Sequence, residues 1–224
     1  MQCIFVLISF ALFANNIVHS ENCGTVSQGS HYPTLIPFHG FKSDEVISTG
    51  VRFMNSSSEY LFPPTDEQGQ RCSVSWNKLW GACRCGYLTS NHKDSDRFVF
   101  RRARSCLVFE GGRVVREIPS CPEAGLIEVA AYAYDNGDKP TEHPDRLLKE
   151  FQTKLRINQL YKVTLTFQET QTIYQIFDHA NQLLETQTIQ HRSCSNYKQG
   201  MMQDLYFGGV CPAPQDVSVC YDKI

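Results

Sequence analysis

Leu160-Tyr161-Lys162-Val163-Thr164-Leu165-Thr166-Phe167 alternates between apolar and polar residues without a break. Tyr161, Val163, Leu165 and Phe167 fall on one side and Lys162, Thr164 and Thr166 on the other, the period of a half-buried strand. The same pattern recurs outward from it. Phe98 and Phe100 alternate with Arg97, Val99 and Arg101, and Val217, Val219 and Tyr221 alternate with Asp216, Ser218 and Cys220. Turn chemistry bounds these runs at Glu110-Gly111-Gly112, Asp135-Asn136-Gly137-Asp138, Asp178-His179-Ala180-Asn181 and Gly208-Gly209. Helical periodicity is scarce. Asp145 to Glu150 is the one helical candidate, and Leu147-Leu148 with Phe151 would equally start a strand. Many short strands separated by turns specify an all-β sandwich or barrel.

The N-terminus sets the expected compartment. Residues 1–20 carry an apolar run, Ile4 to Ala14, too short to span a bilayer and suited to a secretory signal cleaved after Ser20. No later segment is apolar enough to predict a membrane span. Residues 21–224 then read as a single domain of about 200 residues, with no repeat or linker, expected to act as a monomer. A net charge of -2 gives no basic field for nucleic acid. Ten cysteines are present, and nine remain once Cys3 leaves with the signal. In an oxidising compartment most should pair, and the odd count leaves one free thiol or an intermolecular bridge. Cys83-x-Cys85 has the wrong spacing for a zinc knuckle, so neither metal nor other cofactor is expected. Asn55-Ser56-Ser57 is an N-glycosylation sequon.

Trp76-Asn77-Lys78-Leu79-Trp80-Gly81-Ala82-Cys83-Arg84 is the most informative stretch for function. As an uninterrupted strand it puts Trp76, Lys78, Trp80, Ala82 and Arg84 on one face, joining both tryptophans of the chain to two cations. Displayed in a groove, aromatic faces stack on sugar rings and cations bind carboxylates, which suits an acidic carbohydrate. With the tryptophans in the core instead, Lys78 would be buried between them, costly unless paired. Arg97 and Arg101 share the face opposite Phe98 and Phe100. They would either join that groove or pair as surface arginines with Asp94 and Asp96. In Ile127 to Tyr134, Val129, Ala131 and Ala133 make a small core-like face, while Glu128, Tyr132 and Tyr134 make the other. The tyrosines are either displayed or a cross-strand packing ladder.

The order of the closing strands, from Leu148 through Leu160–Phe167 and Tyr174–Leu184 to Tyr206-Phe207-Gly208-Gly209 and Val217-Ser218-Val219, resembles a concanavalin-like β-jelly roll, a sandwich of two antiparallel sheets. That fold hosts lectins, glycosidases and lyases alike. A strand lysine, arginines on the next strand and a Tyr-x-Tyr strand after it resemble the secreted alginate lyases of polysaccharide lyase family fourteen, from about Trp76 to the C-terminus. The resemblance implies cleavage of a uronic-acid polymer, such as alginate or glucuronan, by β-elimination. Lys78, Tyr132 and Tyr134 would serve the proton transfers. Arg97 and Arg101 would hold substrate, with Trp76, Trp80 and Arg84 lining the same groove. The family's groove serine has no position assigned here. The chain departs from the family in its cysteines and in the Cys106-to-Cys121 segment, which reads as an insertion.

The chemistry stands without the family. A cation must neutralise the uronate carboxylate, a base must take the C5 proton, and an acid must protonate the leaving O4. Neighbouring Arg84 and Arg97 would lower the pKa of Lys78 and favour tyrosinate. Other candidates are weaker. His191 reads as structural, Asp135-Asn136-Gly137-Asp138 as a turn rather than a calcium loop, and Glu128 as a carboxylate without the partner a glycosidase needs. Residues 23–71 should supply the first strands and a groove loop around Ser30 and His31. The alternatives are a non-catalytic lectin using Trp76, Trp80 and Arg84, or a disulfide-rich interaction protein that covers this face.

Overall fold

The computed structural model of the chain describes residues 22–34, 40–62, 72, 75–88, 92–110, 113–118, 121–208 and 211–222. The signal segment expected at 1–20 lies outside them, as do Gly111, Gly112 and Gly209 of the expected turns. The alternating run becomes strand β11 (Leu160–Phe167), with Tyr161, Val163, Leu165 and Phe167 buried. It lies within a six-stranded sheet in the order β1 (Asn22–Val26), β15 (Val217–Asp222), β3 (Val46–Phe53), β11, β12 (Gln171–Phe177), β13 (Leu183–Gln190). A second sheet runs β10 (Leu155–Arg156), β8 (Leu126–Tyr134), β5 (Ser95–Arg102), β4 (Asn77–Cys83), β14 (Gly200–Gln203), β2 (Phe41–Lys42), with β9 (Leu148–Glu150) beside β8.

Pairing is antiparallel throughout both sheets. The non-consecutive neighbours β15–β3–β11 and β14–β4 make the chain wind between sheets, as in a jelly roll, rather than run as a meander. The inner faces share one core. Phe53, Leu165, Phe167, Tyr174 and Ile176 come from the first sheet, and Leu79, Trp80, Phe98, Phe100 and Ala131 from the second. Phe53 meets Phe100 at 5.1 Å between ring centroids, and Phe98 meets Tyr174 at 5.4 Å. Each such burial is worth about 1.5–3 kcal/mol. The fold is therefore all-β, a jelly-roll sandwich of two antiparallel sheets.

Among the described residues the helical elements with given bounds are single turns, α1 (Ser56–Glu59) and α2 (Pro144–Leu147), and a short 3-10 turn, Arg104–Cys106, and Cys72 is also helical. The Asp145-to-Glu150 segment divides between its two readings, since α2 ends where β9 begins. The Cys106-to-Cys121 insertion is a hairpin of β6 (Leu107–Glu110) and β7 (Arg113–Glu117), closed at its base by a disulfide between those two cysteines. Further disulfides join Cys23 to Cys220, Cys72 to Cys211 and Cys85 to Cys194. Among the described residues, Cys83, buried on β4, is the cysteine outside any disulfide. No helix among the described residues is long and apolar enough to cross a membrane.

A cation-aromatic groove on the outer face of the second sheet

Strand β4 does not run straight. Its pairing with β5 shifts between Lys78 and Trp80: Lys78 opposes Val99, Trp80 opposes Phe98, and Leu79 is the extra residue of a β-bulge. Leu79 and Trp80 therefore both enter the core, at 0% and 1% exposure. Beyond the bulge the faces are exchanged, so Gly81 and Cys83 point outward and Ala82 inward. This corrects the uninterrupted-strand projection for three residues, Trp80, Ala82 and Arg84. Trp80 is core, not groove. Arg84 is also buried inward, its Nε donating to Asp96 at 2.5 Å and its Nη2 to the Tyr134 carbonyl at 2.8 Å. Asp96 also accepts from the Tyr174 hydroxyl at 2.8 Å, so Arg84 belongs to a buried ion pair with its own hydrogen bonds.

Lys78 stays on the outer face and meets the neighbours its sequence position suggests. On β5 and β8 the register sets Arg97 opposite Tyr132, Ser95 opposite Tyr134, and Arg101 opposite Glu128. Arg97 and Lys78 line a groove of about 330 Å³ with His92, Gln203, Tyr206 and Tyr32. Tyr206 is the backbone partner of Lys78 on the other side, and the Lys78 ammonium sits 4.7 Å from its ring centroid. His31 stacks on Tyr206 at 5.2 Å, so the loop expected around Ser30 and His31 does border the groove. Tyr132 and Tyr134 lie behind the lining, 8% and 4% exposed, with rings 5.6 Å apart. The Arg97 guanidinium is 5.9 Å from the Tyr134 ring.

The electrostatics follow from burial. Lys78 is lowered to about 8, first by burial and then by the Arg97 charge. Arg97 is also lowered by burial, and its Nη2 donates to Gln203 Oε1 at 2.6 Å. Gln203 in turn donates to Cys83 Sγ at 3.2 Å. His92, its ring 4.7 Å from that of Tyr134, is lowered to about 4 by burial and by Lys78 and Arg97. Tyr132 is raised by burial and by Tyr134, with Arg97 opposing. The expectation that the cations favour tyrosinate is corrected here for Tyr132: desolvation wins and the phenol keeps its proton.

Trp76 is half-buried on the same outer face, and the Arg101 guanidinium lies 3.9 Å from its ring centroid. Arg101 is held by Glu128 at 2.8 Å and Glu150 at 3.2 Å, so its charge is already shared with two carboxylates. That also accounts for Glu128. His191 is buried, bonded to the Thr172 hydroxyl at 3.2 Å, and structural. His92, Gln203 and Tyr206 joined the site without a role assigned from sequence. Ser95 is fully buried on the Arg97 face of β5, opposite Tyr134, and is not part of the groove lining.

No protein-family model matches the chain, and no curated protein matches it. Among solved structures, lectin II from Ulex europaeus aligns over 84% of this chain and 99% of that one, at 8% identity and a TM-score of 0.20. The lectin UEA-II complexed with galactose aligns over 84% and 99%, at 10% identity and a TM-score of 0.18. Similarities this small carry no argument about role, and the fold rests on the strand pairing itself.

Proposed function

We propose that this chain is a secreted lyase that cleaves a uronic-acid polymer by β-elimination in the groove. One observation carries the reading: a lysine lowered to about 8 stands beside an arginine and two tyrosines, Tyr32 and Tyr206, in one groove. No carboxylate pairs with Lys78 among the described residues. A binding surface needs cations, but it has no need of an amine that is partly neutral near neutral pH. Secretion accords with the four disulfides.

The steps follow from the side chains. Arg97, oriented by Gln203, neutralises the substrate carboxylate and makes the adjacent C5 proton more acidic. The neutral amine of Lys78 takes that proton. The C5 electrons form the C4–C5 double bond as the C4–O4 bond breaks, and a tyrosine hydroxyl gives its proton to O4. The candidates for this acid are Tyr206, in the groove wall with its ring 4.7 Å from the Lys78 ammonium, and Tyr134, behind the wall with its ring 5.9 Å from the Arg97 guanidinium. Solvent then returns a proton to the tyrosine and removes one from Lys78.

The test is the ultraviolet absorbance of the unsaturated uronate on mixing the mature protein with uronic-acid polymers. Lys78→Ala abolishes the rise, and whichever of Tyr134→Phe and Tyr206→Phe abolishes it identifies the acid. Full activity in Lys78→Ala would sink the assignment. Tight binding without product would make the groove that of a lectin.

A further inference from the structure

We infer that Asn55 carries an N-linked oligosaccharide, attached while the chain is unfolded and before strand β15 seals the acceptor triplet. The inference needs the secretory route but not the lyase reading. Asn55-Ser56-Ser57 is the one Asn-x-Ser/Thr triplet in the chain. It lies where β3 turns into α1, and Asn55 is exposed. Asn55 Oδ1 accepts from Asn158 Nδ2 at 2.7 Å, and Asn55 Nδ2 donates to none of the described residues. An oligosaccharide on that nitrogen therefore stands in solvent and displaces no packed side chain.

The two serines are engaged by a single residue of β15. Ser56 Oγ accepts from the Ser218 N–H at 3.0 Å, and Ser57 Oγ donates to the Ser218 carbonyl at 2.6 Å. The Met54 N–H reaches the same carbonyl at 3.3 Å. Ser57 is fully buried. A transferase reads the triplet through the hydroxyl at its third position. The folded chain therefore displays the asparagine and hides that hydroxyl, and the Cys23–Cys220 disulfide holds β15 in place over it. Ser218 is made 161 residues after Ser57. At ~5–20 residues per second this leaves about 8–30 s in which the triplet exists without its seal. In that interval Asn55 Nδ2 bonds to C1 of an oligosaccharide carried on a polyprenyl diphosphate. The C1–O bond breaks, the diphosphate leaves with the electron pair, and the nitrogen loses one proton.

The experiment expresses the full chain in eukaryotic secretory cells and maps its peptides after treatment with peptide N-glycosidase, which leaves an aspartate where a glycan was. Most chains are expected to carry that mark at position 55. Asn55→Gln, which spares both serines, should lose the accompanying mass shift. Because the mark is read in the unmutated chain, the assignment does not depend on how the variant folds. An unmodified Asn55, in a secreted or a retained chain, overturns the inference. The second arm tests the seal. An unglycosylated chain prepared to begin at Glu21, with its disulfides formed, is given the transferase and a lipid-linked oligosaccharide. Transfer is expected to be slower by about tenfold or more than to the same chain reduced and unfolded, because Ser57 is offered only when β15 opens. Equal rates would mean that the hydroxyl is accessible in the fold, and they overturn the ordering of attachment before closure.

Discussion

At the scale of the residue, Lys78 joins two opposed demands. Burial lowers its pKa from 10.5 to about 8, and each unit is 1.36 kcal/mol, so holding its charged form in the folded state costs on the order of 3 kcal/mol. The sign fixes the pH window. Between about 8 and 10.5 the unfolded chain binds a proton that folded Lys78 has released, so stability rises with pH there. Below about 8 the penalty is present in full. Lys78→Met keeps the packing and removes the charge. It is expected to raise the melting temperature at pH 7 by a few degrees and to flatten part of the alkaline rise, while product formation is lost. Lys42, also lowered to about 8 by burial, retains its own share of the slope. A fall in melting temperature for Lys78→Met would mean that the ammonium is stabilised in place. The same shift sets the catalytic profile. With Lys78 as the base, the rate rises with pH through about 8, and a rate that fell over that interval would make the lysine the acid instead.

At the scale of the element, the site depends on one bulge, and this is also where the sequence stops being legible. The faces of β5, β8 and β11 were readable because each keeps strict period two along its length. Arg97 and Ser95, like Tyr132 and Tyr134, fall where alternation puts them. On β4 a single extra residue inverts the phase, and no local feature of Leu79-Trp80 marks it. The projection was right for Trp76 and Lys78 and wrong for Trp80, Ala82 and Arg84. Gln203 was out of reach for another reason: it lies 106 residues from Arg97, and its approach is decided by the pairing of β14 with β4. Gly81, just past the bulge and opposite Arg97, is what lets β4 and β5 close, because a Cβ there would overlap the Asp96 carbonyl and crowd the Arg97 backbone. Gly81→Ala is therefore expected to destabilise the fold by about 1–3 kcal/mol, read as a lower urea midpoint. It should also depress kcat more than Lys42→Met, since the strain falls between Lys78 and Arg97. A wild-type midpoint and kcat would show that the two strands separate there without cost.

At the scale of the whole molecule, the disulfides fix which parts of the chain stay together, and they leave a countable residue of chemistry. Cys23 and Cys220 face each other across β1 and β15, so one bond of sequence separation 197 joins the first described strand to the last. Constraining so long a loop removes unfolded-state entropy worth about 5 kcal/mol in the chain-entropy treatment. Cys85–Cys194 ties the end of β4 to the segment leading into β14, the two strands that bring Lys78 and Gln203 to the groove. Cys83 is left over, buried beneath Gln203, which donates a hydrogen bond to its sulfur. A thiol in that position is sealed by the same contact that helps hold Arg97. A chain prepared to begin at Glu21 should thus show no thiol reactive to Ellman's reagent when native and about one per chain in denaturant without reductant. Cys83→Ala should remove the single thiol, keep the melting temperature within a few degrees, and raise KM more than it lowers kcat, because Gln203 loses an acceptor and Arg97 its fixed aim. A native chain with one reactive thiol would place Cys83 at the surface and undo the link between it and the groove. Three thiols in denaturant would leave one of the four bridges unformed.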